Sequence, residues 1–185
     1  MLLLQTTGLS GAGKTTLSNL VRARLAKLNL NCIVIDGDTY RQSLCKDLGF
    51  SQADRIENIR RLGAEAHRHA QQGTIAIIAA INPFEQSRRE LGEMYGAKTI
   101  WVDCAMQTLI ARDTKGLYKR ALLLNNHPKK LNNLTGVNDI YEAPENPDLH
   151  ICTHLLTPEE ACERMLNFIL ATLEPSVIPQ ADYKE

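Results

Sequence analysis

The chain has 185 residues, 44% of them hydrophobic, which is enough apolar material for one domain with a single core. Its 21 basic and 21 acidic side chains cancel, so no overall positive field attracts nucleic acid or an anionic membrane. No apolar run approaches the roughly 18 to 20 residues that cross a bilayer, and the first residues lack the basic region of a signal peptide. We therefore expect a cytoplasmic protein with no nucleic-acid or membrane partner.

Short apolar or β-branched runs alternate with longer segments of helical period. This alternation favours one α/β domain over residues 1–185, a three-layer sandwich with a five-stranded parallel sheet and helices on both faces. The predicted strands cover residues 2–7, 32–35, 74–80, 98–103 and 150–153. The predicted helices cover residues 14–28, 52–72, 84–95, 106–112 and 158–173, the last with Thr157 as its N-cap. The tail after Pro175 is expected to be a peripheral extension.

A glycine-rich segment follows the first predicted strand directly. Residues 8–15, GLSGAGKT, match the pattern G-x-x-x-x-G-K-[ST] between a strand and a helix. Glycines there let successive backbone N–H groups face a phosphate, and the helix adds its positive N-terminal dipole. Lys14 is expected to neutralise the β- and γ-phosphates of ATP during catalysis, and the Thr15 hydroxyl to bind Mg²⁺. The predicted phosphate site is Gly8, Leu9, Ser10, Gly11, Ala12, Gly13, Lys14, Thr15 and Thr16.

This segment predicts a P-loop NTPase-like fold but does not fix the reaction. GTPases, motor ATPases and small-molecule kinases share the pattern. Because the chain is short and lacks the guanine signature N-K-x-D, a kinase for a nucleotide or a metabolite is favoured.

Two aspartates and an arginine follow the second predicted strand, at the end where parallel sheets usually carry their active sites. Asp38 is suited to orienting or deprotonating a hydroxyl, Asp36 to holding Mg²⁺ through water, and Arg41 to binding an oxyanion. The alternative is a solvated turn in which an aspartate caps the next helix. On that helix Arg55 and Asn58 lie side by side, where they either grip one ligand or form a solvated face.

Residues 124–147 are rich in Asn, Pro and Lys and show no sustained periodicity. A loop of this length is usually functional or disordered, and a kinase needs a cover that excludes water. We therefore predict a lid around residues 112–147.

The cysteines and histidines show no metal-binding spacing. The five cysteines are widely separated and contain no Cys-x-x-Cys pair, and the spacing of the five histidines supports no shared metal. Neither a disulfide framework nor a zinc site is predicted.

Several segments together resemble the adenylyl-sulfate kinase family over nearly the whole chain. They are GLSGAGKTT, DGD-x-x-R, GFS-x-x-DR-x-ENIRR, INPF, VDC with ARDTKGLYKRA, and LTGVNDIYEAPENPDL. The resemblance implies transfer of the γ-phosphoryl group of ATP to the ribose 3'-hydroxyl of adenylyl sulfate, with Mg²⁺ as cofactor, by a homodimer. It also implies an acceptor site made by Asp38, Arg41, Phe50, Arg55, Asn58, Ile81, Lys115 and Leu117, with Arg112 against the ATP base or phosphates.

The chain departs from the family pattern at two positions. Asn82 stands where relatives commonly have a serine that is sometimes proposed to carry the phosphoryl group. We therefore predict direct transfer from ATP to the acceptor, with Asn82 at most a hydrogen-bonding group in the acceptor site. Leu134 stands where the family usually has Phe as one wall of an adenine sandwich. Leu134 still covers the base, but the loss of stacking predicts an acceptor affinity up to roughly tenfold weaker.

Two other functions remain open at this level. A P-loop kinase for another small hydroxyl compound needs the same phosphate loop, and so does a nucleotide-dependent regulatory module without turnover. The segments that resemble an adenylyl-sulfate site argue against a kinase for another compound. They also argue against a regulatory module, because such a module has no need of an acceptor pocket.

Overall fold

The computed structural model describes residues 1–173. Its strands are β1 (Leu3–Thr7), β2 (Cys32–Asp36), β3 (Ile75–Ala79), β4 (Lys98–Asp103) and β5 (Leu149–Cys152). Its helices are α1 (Lys14–Lys27), α2 (Gly37–Tyr40), α3 (Gln52–Gln71), α4 (Glu85–Tyr95), α5 (Met106–Arg112), α6 (Leu117–Ala121) and α7 (Pro158–Leu173). All predicted strands and helices are confirmed with ends that differ by at most one residue, and the tail after Pro175 lies outside the described residues.

The two short helices α2 and α6 were not predicted. They contain four and five residues, too few to show a helical period. Each is held by an aspartate on its N-terminal side that accepts two backbone N–H groups, Asp36 immediately before α2 and Asp113 four residues before α6. Asp36 accepts two such bonds at 3.0 Å, and Asp113 accepts bonds at 3.0 and 2.8 Å. Local capping therefore makes helices that periodicity cannot reveal.

The five strands are all parallel and follow the order β2-β3-β1-β4-β5. The central strands β1 and β3 are buried along their whole length. The order of strands reverses at β1, so the chain leaves β1 at the point where crevices form in such sheets. The predicted phosphate loop occupies this position.

Alternate side chains of each strand point into two separate apolar layers. Leu4 and Ile77 pack against α1 and α7 on one face, and Leu3 and Ile78 pack against α3 and α4 on the other. Helices therefore cover both faces of the sheet, as predicted. Within residues 1–173, no helix combines the length and the apolar character needed to span a bilayer.

Residues 122–148 form a long connection without helix or strand, apart from one bridge between Thr135 and Asp139. The predicted long loop is confirmed. Its second half is fastened to the sheet, because the Tyr141 hydroxyl lies 3.1 Å from the Thr7 hydroxyl and the Glu142 amide donates to the Pro83 carbonyl at 2.9 Å.

Candidate active site

A cavity of about 670 Å³ opens where the central strands end. It runs without interruption from the phosphate loop to Phe50 and Arg55, with loop residues 131–135 along one wall. Pockets of this size accommodate nucleotides and similar ligands. Most predicted site residues line it: Ser10, Gly11, Ala12, Gly13, Lys14, Thr15, Thr16, Asp36, Asp38, Phe50, Arg55, Ile81, Arg112, Lys115, Leu117 and Leu134. Gly8, Leu9, Arg41, Asn58 and Asn82 lie outside the lining.

The phosphate loop connects β1 to α1 through glycines in left-handed or related conformations. Gly8 has φ 145°, and a Cβ there would lie 2.1 Å from the Val102 carbonyl oxygen, so only glycine fits. Gly8 and Leu9 hold the Lys14 side chain in place, because their carbonyls each accept a hydrogen bond of 2.8 Å from Lys14 Nζ. The loop therefore positions the lysine that faces the cavity.

Lys14 is buried, with 8% of its surface exposed. Burial is the largest cause that lowers its pKa to about 7, and the like charge of Lys115 is the next. Asp38 and Asp36 oppose this shift but do not cancel it. In the protein without phosphate ligands, Lys14 is therefore only partly charged near neutral pH.

Thr15 and Asp36 meet at the start of α1. The Thr15 hydroxyl donates to Asp36 Oδ2 at 2.6 Å, while Asp36 Oδ1 caps α2. The capping alternative from the sequence is thus correct for one carboxylate oxygen, and the other oxygen faces the phosphate loop. A hydroxyl and a carboxylate are hard oxygen donors that fit Mg²⁺.

Asp38 and Lys115 form an ion pair of 2.5 Å across the cavity. Their side chains are 75% and 56% exposed, so the pair contributes little to stability. The pair joins the predicted lid to the sheet, because Lys115 lies near the start of the predicted lid and Asp38 follows β2.

Arg55 carries the densest set of polar contacts in the site. Its Nη2 lies 2.7 Å from Asp139 Oδ2 and donates to the Asn133 carbonyl at 2.9 Å, and its Nη1 donates to the Thr135 hydroxyl at 3.1 Å. Its Nε donates to the Phe50 carbonyl at 3.0 Å. The loop therefore already engages both ends of the guanidinium that was predicted to bind the acceptor.

Phe50 and Arg41 form a second pair beside Arg55. The guanidinium carbon of Arg41 lies 4.5 Å from the centre of the Phe50 ring, and that of Arg55 lies 5.5 Å from it. Arg41 Nη1 also donates to the Gly49 carbonyl at 2.9 Å. Arg41 therefore acts on the cavity through the ring it packs against.

Asn58 follows Arg55 by one turn of α3 and is 5% exposed. Its Oδ1 accepts no hydrogen bond from the described residues. A buried amide oxygen without a donor is costly. The role of Asn58 in acceptor binding stays a prediction, because the side chain lies outside the lining of the cavity.

Asn82 lies in the core beside the cavity. Its Nδ2 donates to Gln5 Oε1 at 2.9 Å, its Oδ1 accepts from the Ser87 hydroxyl at 2.6 Å, and 1% of the residue is exposed. Both polar ends of the side chain are used inside the core, and the hydrogen bond from Asn82 to the acceptor stays a prediction. Its neighbour Ile81 lines the cavity instead.

Leu134 lines the cavity and is 5% exposed. A turn holds it there, because Asn138 Oδ1 accepts from the Leu134 amide at 2.8 Å and Asn138 Nδ2 donates to the Leu131 carbonyl at 2.6 Å. The position is therefore fixed by local hydrogen bonds, although its side chain is aliphatic.

Several residues of the site were missed in the sequence. The Tyr118 hydroxyl donates to the Ser10 carbonyl at 2.8 Å, and the Thr153 hydroxyl donates to the Ala12 carbonyl at 2.9 Å. The only available signals were the position of Thr153 at the end of a predicted strand and of Tyr118 within the KGLY segment. Asp139 lies in the segment LTGVNDIYEAPENPDL, but its pairing with Arg55 could not be predicted, because the two residues are 84 positions apart.

Comparisons with known proteins agree on the family. Residues 1–152 match the family described as adenylylsulphate kinase. The chain is 37% identical over 166 residues to the adenylyl-sulfate kinase of Thermodesulfovibrio yellowstonii, covering 88% of this chain and 80% of the relative. It is 41% identical over 148 residues to that of Citrobacter koseri, covering 78% of this chain and 71% of the relative.

A solved structure supports the same assignment. The APS kinase of Mycobacterium tuberculosis in complex with AMPPNP and APS superimposes with a TM-score of 0.84 at 32% identity, covering 91% of this chain and 97% of that one. This chain belongs to the adenylyl-sulfate kinase family and is an ATP-dependent kinase that acts on a hydroxyl group.

Proposed function

We propose that this kinase transfers the γ-phosphoryl group of ATP directly to the 3'-hydroxyl of adenylyl sulfate, giving 3'-phosphoadenylyl sulfate. The observation that carries the proposal is the single cavity that joins the phosphate loop to Phe50 and Arg55. Donor and acceptor can lie end to end in such a cavity, as transfer in line requires. The M. tuberculosis relative holds APS and an ATP analogue together, which supports the same pair of ligands here.

Phosphate binding falls to the loop between β1 and α1. Its backbone N–H groups and the N-terminus of α1 suit the ATP phosphates, and Lys14 gains full charge when anionic oxygens replace its two carbonyl partners. Thr15 and Asp36 would hold Mg²⁺, which neutralises charge on the β- and γ-phosphates when bound. Arg112 lines the same cavity and is available to the ATP base or phosphates.

The acceptor end combines flat apolar surface with cations. Phe50 and Leu134 suit the two faces of an adenine ring, and Ile81 and Leu117 complete the apolar lining. Arg55 suits the phosphosulfate, with Arg41 supporting the Phe50 ring. Because Arg55 is engaged by the loop, acceptor binding must exchange some of these loop contacts for ligand contacts.

Asp38 is the group that orients and deprotonates the 3'-hydroxyl. The new bond joins the 3'-oxygen to the γ-phosphorus while the bond to the ADP oxygen breaks, and the hydroxyl proton passes to the Asp38 carboxylate. Lys115, now paired with Asp38 at 2.5 Å, is released towards the phosphate charge as the acceptor arrives. Residue 82 carries no hydroxyl and its side chain is used in the core, which supports transfer without a phosphoenzyme.

The test is turnover with a panel of acceptors. Native protein with Mg-ATP should release ADP only with adenylyl sulfate, and not with adenosine or gluconate. Asp38→Asn should lower kcat by about 10² to 10⁴. The matched control Asp47→Asn, whose carboxylate pairs with Arg61 on the surface, should keep native turnover. ADP release that depends on another acceptor, or on none, would overturn the proposal.

The homodimer and the cytoplasmic location remain predictions from the sequence and its family resemblance. Light scattering of the purified chain measures the first directly, and a mass of two chains is expected.

A further inference from the structure

Three side chains of different chemistry meet where β4 and β5 run side by side. Asp103 pairs in register with Cys152, and Trp101 pairs with His150. His150 precedes Cys152 by two residues, so both project from the same face of the strand. His150 Nε2 lies 3.2 Å from Asp103 Oδ2 and 3.5 Å from Cys152 Sγ, and the three atoms lie within 4.8 Å of one another.

The two separations that involve His150 match those of zinc ligands. Zinc bonds of about 2.0 to 2.1 Å to nitrogen or oxygen and about 2.3 Å to sulfur, arranged tetrahedrally, put nitrogen about 3.3 Å from oxygen and about 3.6 Å from sulfur. The observed 3.2 and 3.5 Å fall within about 0.2 Å of these values. The Asp103 and Cys152 donor atoms lie within 4.8 Å of each other, against about 3.6 Å between oxygen and sulfur in a tetrahedral zinc site. A metal can therefore bind among the three side chains after a small side-chain movement, without rearrangement of the strands.

The cluster is also held in position. The His150 ring stacks on Trp101, with ring centres 4.1 Å apart and planes 7° from parallel. The Thr153 amide and hydroxyl both donate to the Asp103 carbonyl, at 2.8 and 3.0 Å. Each ligand lies on a strand whose backbone is fixed by the ladder between β4 and β5. Ligands that are fixed before binding cost less entropy when the metal arrives.

The donor set selects the metal. A thiolate, an imidazole and a carboxylate together favour zinc over Mg²⁺ or Ca²⁺, which prefer oxygen alone. The side chains of His150 and Asp103 are 40% and 33% exposed, so solvent reaches the cluster and leaves room for water as a fourth ligand. We propose that Asp103, His150 and Cys152 bind one zinc ion, in a site separate from the oxygen donors Thr15 and Asp36.

The prediction of no zinc site was based on the spacing of cysteines and histidines along the sequence, and that spacing does not reveal this cluster. Two ligands come from a His-x-Cys segment on β5, and the third lies 47 residues earlier on β4. Only the parallel pairing of the two strands brings them together. The proposal is independent of the phosphoryl transfer reaction.

The experiment uses the full chain, stripped of metal and saturated with Mg²⁺ so that the oxygen site near the phosphate loop does not compete. Cobalt(II) serves as the spectroscopic probe, and zinc is then titrated against a chromophoric chelator. The native chain is expected to show a cobalt–thiolate charge-transfer band, to bind one zinc per chain, and to melt at a higher temperature with zinc. Cys152→Ser should abolish the band, and His150→Ala should weaken zinc binding by about tenfold or more.

Cys32→Ser is the matched control, because Cys32 lies on β2 at the opposite edge of the sheet. It should keep the band and the native zinc affinity. Melting without metal shows whether each variant is folded, and Asp103→Asn gives a third, nearly isosteric test. A native chain that binds no zinc at micromolar concentration, or a folded Cys152→Ser that binds as tightly as the native chain, would overturn the proposal.

Discussion

At the residue scale, the burial of Lys14 lowers its pKa and so makes ligand binding depend on pH. Its pKa lies near 7 in the free protein, against 10.5 for an ordinary lysine. Bound phosphates favour the charged form and raise this pKa, so binding above pH 7 takes up a proton. Affinity for an ATP analogue should therefore fall as the pH rises above about 7, by at most about tenfold per pH unit.

Calorimetry in buffers of different ionisation enthalpy measures that proton directly. Uptake approaching one proton per Mg-bound analogue is expected at pH 8, and clearly less at pH 6. Lys14→Met should bind more weakly and lose the uptake. Equal uptake at both pH values in the native chain would contradict the role assigned to burial.

Leu134 offers a test of the acceptor wall. It lies with Phe50 in the lining of the cavity, and an aromatic ring there would add stacking worth about 0.5 to 1.5 kcal/mol. Leu134→Phe should lower the KM for adenylyl sulfate by up to about tenfold, with little change in the KM for ATP. The control Leu124→Phe, at an exposed position of the same loop, should leave both constants as they are. An unchanged acceptor KM in Leu134→Phe would refute this explanation.

A substitution at Asn82 is expected to change the stability of the fold more than the rate of catalysis. Its φ of 43° is a left-handed conformation that asparagine adopts more readily than most residues. Asn82→Ala removes the partner of Gln5 Oε1 and one partner of Ser87, so the free energy of unfolding should fall by about 1 to 3 kcal/mol. Urea unfolding measures this loss. Turnover at a temperature where the variant stays folded should remain within a few-fold of native, and a collapse of kcat there would restore a catalytic role to this side chain.

At the scale of elements, Arg55 joins α3 to the long loop through Asp139. The pair is largely shielded, with side chains 9% and 27% exposed, so its loss is felt more than that of a surface pair. Asp139→Ala should increase the mobility of the part of the loop that precedes Tyr141. From Tyr141 onwards the chain is still held, because the Tyr141 hydroxyl is hydrogen-bonded to Thr7. Trypsin should then cut at Lys129 or Lys130 several-fold faster than in the native protein.

Glu145→Ala removes a carboxylate from the same connection at an exposed position, and it should leave the rate of cleavage unchanged. Adenylyl sulfate with an ATP analogue should slow cleavage of the native chain if the loop closes as a lid. Equal cleavage rates for Asp139→Ala and the native chain would show that the pair between Arg55 and Asp139 does not hold the loop.

The secondary structure could be predicted where the local sequence shows a clear pattern. The strands are short apolar or β-branched runs, most of the longer helices have a helical period, and the phosphate loop is one continuous segment, so all three are visible in the sequence. The helices α2 and α6 are too short for a period and depend on single aspartate caps. Contacts such as those of Arg55 with Asp139 and Lys115 with Asp38 join residues 84 and 77 positions apart, and only folding reveals them.

At the scale of the whole molecule, one cavity for two ligands predicts additive stabilisation. A ligand at about 100 times its Kd raises the free energy of unfolding by about 2.7 kcal/mol, or roughly 5 to 10 °C in Tm for a chain of this size. An ATP analogue should give one such rise, and adenylyl sulfate a further one. A regulatory module without an acceptor pocket would show only the first, and differential scanning calorimetry distinguishes the two.

Direct transfer in line to the 3'-oxygen can be tested with ATP made chiral at the γ-phosphorus with oxygen isotopes, followed by analysis of the product by phosphorus NMR. A single displacement inverts the phosphorus, so we predict inverted configuration with the phosphate on the 3'-oxygen of adenylyl sulfate. Retained configuration would require a phosphoenzyme, and a phosphate on any other oxygen would require a different acceptor geometry. Either result would contradict this account.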